Sequence, residues 1–270
     1  MTARPEAVTV PALRAFKERR ERIVAVTCYD ALFARLLDAS VDLLLVGDSV
    51  NQVLAGAPTT LSATLEQMLY HTRLVSRGAE HALVVCDMPF LSYQVSVAEA
   101  IRNCGRALAE AGCQAVKLEG GRAIAPTVRA LVDVGIPVIG HLGLTPQAVR
   151  AFGGYHVQGR GPEAAARLED DARALADAGA SAVVLELIPA PLAARVTAAV
   201  PIPTIGIGAG PDCDGQVLVL YDLLGLTEGF NAKFVKHYAE LAGTVRSAVD
   251  RYAGEVRSGQ YPGPDHFFAK

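Results

Sequence analysis

The chain has 270 residues, of which 51% are hydrophobic and 20% charged, and its 25 basic and 28 acidic side chains leave a net charge of −3. This composition excludes a disordered chain, and 25 glycines without a three-residue period exclude a collagen-like one. The near balance of charge provides no general attraction to nucleic acid or to an anionic membrane, so we expect neither as a partner.

In chain order, the first predicted element is a helix over residues 10–20, ahead of the first strand. Eight short runs rich in Val, Ile and Leu follow, and helical segments separate most of them. The runs span residues 23–27, 43–47, 82–86, 115–118, 136–140, 182–185, 204–207 and 216–220. They show little alternation of polar and apolar residues, which is typical of parallel strands buried on both faces.

Helix boundaries lie between these runs. Residues 64–67 (TLEQ) and 96–99 (SVAE) fit capping boxes, and Pro162 fits the first turn of a helix. Three glycines precede an apolar run at the point where a left-handed residue ends a helix, namely Gly112, Gly135 and Gly179. The repeated strand–helix unit predicts an α/β fold, a (β/α)8 TIM barrel, with an open doubly wound sheet as the alternative.

The spacing of the runs also bears on domain organisation. About eight residues separate the last two runs, too few for a full crossover helix. No linker, repeat or low-complexity tract divides the chain, so we predict one barrel domain over residues 1–270 with an extra N-terminal helix.

Cysteine usage and apolar stretches indicate the compartment. The five cysteines are odd in number and include no C-x-x-C pair, which argues against a disulfide framework. No apolar stretch reaches the roughly 18 residues of a membrane span, and residues 1–8 carry no apolar signal segment. We therefore predict a cytoplasmic protein.

Ionisable side chains collect where the predicted strands end, and active sites of such barrels lie at those carboxyl ends. The polar residues in these positions are Asp48, Ser49, Asp87, Lys117, Glu119, His141 and Glu186. Any one of them can serve only to cap the following helix, but six ionisable groups on one rim favour a catalytic site.

The carboxylates of Asp48, Asp87 and Glu119 come from three consecutive strands, so we expect them to lie side by side. Clustered anions repel one another unless a cation lies among them. Oxygen-only ligands suit Mg²⁺ better than zinc. The alternative is that Lys117 alone neutralises the cluster.

These groups suggest a reaction class. A magnesium ion with open positions can chelate a 2-oxo acid and make an enolate accessible at the adjacent carbon. Lys117 can then bind the substrate carboxylate or the enolate oxygen, and Glu186 is the natural proton acceptor. The glycine-rich segment 206–210 also leaves a phosphate site open, although Pro211 breaks the G-x-G-x-x-G pattern.

Several longer motifs run nearly from end to end of the chain. They include VTCYD at 26–30, LVGDS at 45–49, YHT at 70–72, DMPF at 87–90, VKLEGG at 116–121, GHLGLTPQ at 140–147 and GIGAG at 206–210. In these motifs the sequence resembles the 3-methyl-2-oxobutanoate (ketopantoate) hydroxymethyltransferase family. The resemblance implies a barrel of the phosphoenolpyruvate/pyruvate type and a homo-oligomer, a decamer in many relatives.

The resemblance also implies an activity in pantothenate biosynthesis. A hydroxymethyl group would pass from the co-substrate 5,10-methylenetetrahydrofolate to 3-methyl-2-oxobutanoate, giving 2-dehydropantoate through a Mg²⁺-stabilised enolate. By the same resemblance, Asp48 and Asp87 would bind Mg²⁺, Glu119 would be the third acidic ligand, directly or through water, and Glu186 would be the catalytic proton acceptor. The residues that would contact the keto acid are Asp48, Ser49, Asp87, Lys117 and His141.

Two alternatives share this barrel. One is a carbon–carbon lyase or mutase acting on phosphorylated or dicarboxylic 2-oxo acids, but the chain has no KKCGH segment of the lyase type. The other is a binding or scaffold subunit without turnover, which the presence of every proposed chemical group argues against.

Overall fold

In a computed structural model that describes residues 6–268, eight parallel strands pair in chain order and the last pairs with the first. The strands are β1 (Ile23–Thr27), β2 (Leu43–Val46), β3 (Leu83–Asp87), β4 (Ala115–Glu119), β5 (Val138–Gly143), β6 (Ala182–Glu186), β7 (Thr204–Ile207) and β8 (Gly215–Leu218). The closing β8–β1 pair confirms the predicted barrel and excludes the open doubly wound sheet.

Helices connect most of the strands. They are α1 (Val10–Arg19), α2 (Ala31–Leu37), α3 (Val50–Val53), α4 (Leu65–Ser76), α5 (Val97–Ala109), α6 (Ala125–Asp133), α7 (Val149–Phe152), α8 (Pro162–Asp177), α9 (Ala190–Ala199), α10 (Leu220–Leu223) and α11 (Leu241–Ser258). Short 3₁₀ helices span Arg122–Ile124, Pro146–Ala148 and Pro264–His266. As predicted, α1 precedes β1. The spacing of the last two runs allows a short helix or a turn, and in the described chain β7 and β8 are joined without a helix.

The predicted helix boundaries rest on local hydrogen bonds. The Thr64 hydroxyl accepts from the Gln67 amide while the Gln67 side chain binds the Thr64 amide, a complete capping box at the start of α4. Pro162 is the first residue of α8, where its missing N–H has no cost. Positive φ angles end the helices at Gly112, Gly135 and Gly179, as expected.

Most strand boundaries lie within one residue of the sequence-based expectation, and β5 and β8 differ by more. Strand β5 begins at Val138 rather than at residue 136, because Pro137 has no N–H to offer the sheet, and it continues past residue 140 to Gly143. His141 therefore lies within the strand and pairs with Glu119 of β4. Strand β8 ends at Leu218, because Leu220 already begins α10.

The chain divides into two units, Met1–Val219 and Leu220–Lys270. The first contains the barrel, whose interior is lined by Lys117 and by buried apolar side chains such as Leu45, Val85 and Val184. The second contains α10 and α11. A single domain over residues 1–270 stays a prediction. The five cysteines are free and buried, and no helix within residues 6–268 is long and apolar enough to cross a membrane.

Candidate active site

Strand register brings the predicted site residues together. Pairing of β3 with β4 sets Asp87 beside Lys117, and pairing of β4 with β5 sets Glu119 beside His141. These four side chains are buried, as is that of Asp48, which follows β2. Glu186 ends β6 and keeps 15% of its side chain exposed. The predicted ionisable groups therefore form one cluster at the carboxyl ends of the strands.

Lys117 is the central cation of this cluster. Its Nζ donates to Asp87 Oδ1 at 2.6 Å and lies 3.8 Å from Glu119 Oε1. Burial lowers the pKa of Lys117, but the surrounding carboxylates of Asp87, Glu119 and Asp48 outweigh burial and raise it overall. Lys117 is therefore charged at neutral pH.

The carboxylates of Asp48 and Asp87 lie close together. The backbone amide of Asp48 donates to Asp87 Oδ2 at 3.2 Å. Burial, followed by the charges of Asp87 and Glu119, raises the pKa of Asp48 well above its usual value. Burial also raises the pKa of Asp87, although Lys117 opposes that rise. The two anions thus destabilise each other, and a further cation would stabilise both.

His141 lies between two carboxylates. Its Nδ1 is 3.6 Å from Glu119 Oε1 and its Nε2 is 3.2 Å from Glu186 Oε2. Neither contact has hydrogen-bond geometry, so we interpret both as ion pairs. Burial and the Lys117 charge lower the pKa of His141, but the two carboxylates raise it to about 9. His141 is therefore a cation at neutral pH, in contact with Glu186.

The structure adds two residues to the predicted site, Gln147 and Tyr93. The side-chain amide of Gln147 donates to Asp48 Oδ2 at 3.1 Å, and its backbone amide donates to Glu119 Oε2 at 3.0 Å. The Tyr93 hydroxyl accepts from the Glu119 amide and lies 3.0 Å from Gln147 Oε1. Gln147 ends the motif GHLGLTPQ, which was the only sequence signal for it.

Ser49 lies at the edge of the cluster. Its hydroxyl is 2.9 Å from the Tyr29 hydroxyl, and the Tyr29 carbonyl oxygen is 2.8 Å from His71 Nδ1. Tyr29 and His71 belong to the motifs at 26–30 and 70–72. These contacts orient the Ser49 side chain beside Asp48.

The cluster fits a divalent cation in donor type and in charge. Asp48, Asp87 and Glu119 offer only oxygen ligands, which Mg²⁺ prefers. Glu119 Oε1 is buried and has no hydrogen-bond partner in the described chain. Four carboxylates, counting Glu186, surround two cationic side chains. Among residues 6–268, however, no three His, Cys, Asp or Glu side chains are already arranged to hold a metal ion. The cation in contact with Asp87 is the ammonium group of Lys117.

Structural comparison shows the type of barrel. A crystal structure of phosphonopyruvate hydrolase in complex with oxalate and Mg²⁺ matches with a TM-score of 0.62 at 13% identity, over 95% of this chain and 92% of that one. 2,3-Dimethylmalate lyase, a member of the PEP mutase/isocitrate lyase superfamily, matches with a TM-score of 0.61 at 21% identity, over 96% and 90%. The fold is therefore the (β/α)8 barrel that these structures share, as predicted.

Sequence comparison shows the family. The 3-methyl-2-oxobutanoate hydroxymethyltransferases of Pelobacter propionicus and Moorella thermoacetica are each 55% identical to this chain over 262 residues, 97% of either chain. The sequence profile of ketopantoate hydroxymethyltransferase matches residues 7–264. The chain belongs to the ketopantoate hydroxymethyltransferase family.

Proposed function

We propose that this protein transfers a hydroxymethyl group from 5,10-methylenetetrahydrofolate to 3-methyl-2-oxobutanoate and forms 2-dehydropantoate, a step of pantothenate biosynthesis. The observation that carries the proposal is a family match over residues 7–264 in a chain whose barrel rim holds every predicted chemical group. In the net reaction, C3 of the keto acid loses a proton and bonds to the folate methylene carbon. Water supplies the hydroxyl oxygen, and tetrahydrofolate leaves.

We assign Mg²⁺ to Asp48, Asp87 and Glu119. When bound, the cation would polarise the 2-oxo group of the substrate and favour loss of the C3 proton. The assignment is supported by the all-oxygen donor set and by the raised pKa values of Asp48 and Asp87. It is also supported by phosphonopyruvate hydrolase, a protein of the same fold whose structure holds Mg²⁺ with oxalate, a small dicarboxylate.

The other predicted site residues bind the keto acid in this proposal. Asp48 and Asp87 adjoin the keto acid as well as the cation. The Lys117 ammonium and the Ser49 hydroxyl bind the carboxylate of the keto acid, since both are donors at the rim of the cluster. The charged imidazole of His141 lines the same pocket and attracts negative charge that develops on the substrate.

Glu186 is the proton acceptor in this proposal. His141 Nε2 contacts one of its oxygens, Oε2, at 3.2 Å, and we assign the C3 proton to the other, Oε1. The contact holds the carboxylate in one orientation, which a general base requires. Homo-oligomerisation, a decameric assembly and the cytoplasmic location stay predictions.

Product analysis tests the function. The Mg²⁺-loaded protein should form 2-dehydropantoate from 3-methyl-2-oxobutanoate and 5,10-methylenetetrahydrofolate, and oxaloacetate-like acids should compete weakly. Turnover of a phosphorylated or dicarboxylic 2-oxo acid without use of the branched substrate would instead assign the lyase or mutase alternative. Absence of turnover with any of these acids would favour the scaffold alternative.

A further inference from the structure

We propose that Gln147 is a positioning residue that holds the carboxylates of Asp48 and Glu119 in the orientation required to bind the divalent cation. The inference rests on the proposed function, because it presumes the cation site at these carboxylates. It adds a residue whose side chain is neutral and which the sequence-based site did not include.

Gln147 contacts residues at the carboxyl ends of three other strands. Its Nε2 donates to Asp48 Oδ2 at 3.1 Å, beyond β2, and to the Met88 carbonyl oxygen at 2.9 Å, beyond β3. Its backbone amide donates to Glu119 Oε2 at 3.0 Å, at the end of β4. Gln147 itself follows β5. One buried residue therefore links the ends of four consecutive strands.

The side-chain amide of Gln147 uses both of its polar ends. The two Nε2 hydrogens are directed to Asp48 and Met88, and Oε1 accepts from Gln94 Nε2 at 3.1 Å and lies 3.0 Å from the Tyr93 hydroxyl. A carboxylate at position 147 has no hydrogens to donate, and an apolar side chain has neither donors nor acceptors. Only an amide of this length satisfies all four contacts.

The contacts select which carboxylate oxygens remain available. Gln147 engages Oδ2 of Asp48 and Oε2 of Glu119. The other Glu119 oxygen, Oε1, is buried and lies 3.6 Å from His141 Nδ1 and 3.8 Å from Lys117 Nζ, but it has no hydrogen-bond partner in the described chain. Because neither cation donates a hydrogen bond to it, this oxygen keeps its lone pairs for a further cation. Gln147 thus fixes one oxygen of each carboxylate and leaves the other, Asp48 Oδ1 or Glu119 Oε1, available to the cation.

Calorimetric titration with MgCl₂ alone, on chelator-treated protein, tests the inference. Partners that orient metal ligands typically contribute 10- to 100-fold to metal affinity. We expect Gln147→Met to weaken Mg²⁺ binding by at least about 10-fold. The matched control is Gln114→Met. Gln114 Oε1 accepts from the Val84 amide at the amino ends of β3 and β4, at the end of the barrel away from the site. The control should keep the wild-type affinity even if it unfolds at a lower temperature.

The outcomes separate this inference from the proposed function. Wild-type affinity in folded Gln147→Met protein would overturn the positioning role alone. Absence of Mg²⁺ binding by the wild type would overturn both the role and the metal assignment. If Gln147→Met does not fold, Gln94→Met decides, because it removes the Gln94 donor to Gln147 Oε1 and no contact to Asp48 or Glu119. That variant should bind Mg²⁺ at least about 3-fold more weakly, and unchanged binding would contradict the role.

Discussion

Gly143 of β5 pairs with Glu186 of β6 so closely that a Cβ at position 143 would overlap the carbonyl oxygen of Glu186. The φ angle of Gly143 is +92°, in the region that side chains disfavour. The residue that ends β5 therefore has to be glycine for the proposed base to keep its place.

This relationship predicts that Gly143→Ala destabilises the protein by at least about 2 kcal/mol and displaces Glu186. The control is Gly105→Ala within α5, where no atom lies within 4 Å of the added Cβ. That change should be neutral or stabilising by up to about 1 kcal/mol. Urea denaturation of both variants measures the difference, and equal midpoints would contradict the proposed overlap.

We predict that the Asp87 carboxylate contributes to the binding of both Mg²⁺ and the keto acid. Asp87→Ala should weaken binding of Mg²⁺ and of 3-methyl-2-oxobutanoate, because both depend on the same carboxylate in the proposal. It also removes the 2.6 Å partner of the buried Lys117, which should cost about 3–5 kcal/mol of stability. Asp87→Asn keeps the size of the side chain, so its loss of stability should be smaller than that of Asp87→Ala. Unchanged calorimetric affinity for both ligands would refute the ligand assignment.

We predict that Lys117 competes electrostatically with a metal ion bound at the proposed site. Lys117→Met leaves the carboxylates of Asp48, Asp87 and Glu119 with one cation fewer, so Mg²⁺ should raise the Tm of this variant more than that of the wild type. The control is Lys17→Met, which breaks the 2.9 Å contact of Lys17 with Asp214 and should show the wild-type shift. An equal Mg²⁺ shift in all three proteins would place the cation elsewhere.

The contacts of His141 predict a pH dependence of stability in the metal-free protein. The pKa of His141 is raised from 6.5 to about 9 on folding, so its protonated form stabilises the native state. This contribution is complete below about pH 6.5 and is lost as the pH rises through about 9, on the order of 3 kcal/mol in total. The unfolding free energy of His141→Gln should therefore fall less steeply over this interval. Parallel curves for the two proteins would contradict the ion pairs.

Much of the fold could be predicted from local patterns. The apolar runs, the capping box at Thr64 and the start of α8 at Pro162 depend on neighbouring residues, and the structure confirms them. Closure of the barrel could not be read from these patterns, because it depends on the pairing of β8 with β1, two strands that lie far apart in the sequence. The predicted end of β5 was wrong for a similar reason, since pairing with β4 and β6 extends that strand to Gly143.

Some site residues could be predicted from the local sequence and others could not. Ionisable residues at strand ends, such as Asp87 and Glu186, were recognisable because charge is unusual next to a buried strand. Gln147 and Tyr93 were not recognised, because a neutral side chain acquires its role only from partners on other loops. The catalytic, substrate and metal roles of the site residues stay predictions that the variants above address.

Exchange of the C3 proton of 3-methyl-2-oxobutanoate with solvent deuterium tests the central claim most directly. With Mg²⁺ and without folate, the wild type should exchange this proton, and Glu186→Gln should do so at least about 10²-fold more slowly. Glu163→Gln, a change at an exposed position of α8, serves as the control and should exchange at the wild-type rate. Normal exchange by Glu186→Gln would remove Glu186 from the role of base, and no exchange by the wild type would contradict the enolate mechanism itself.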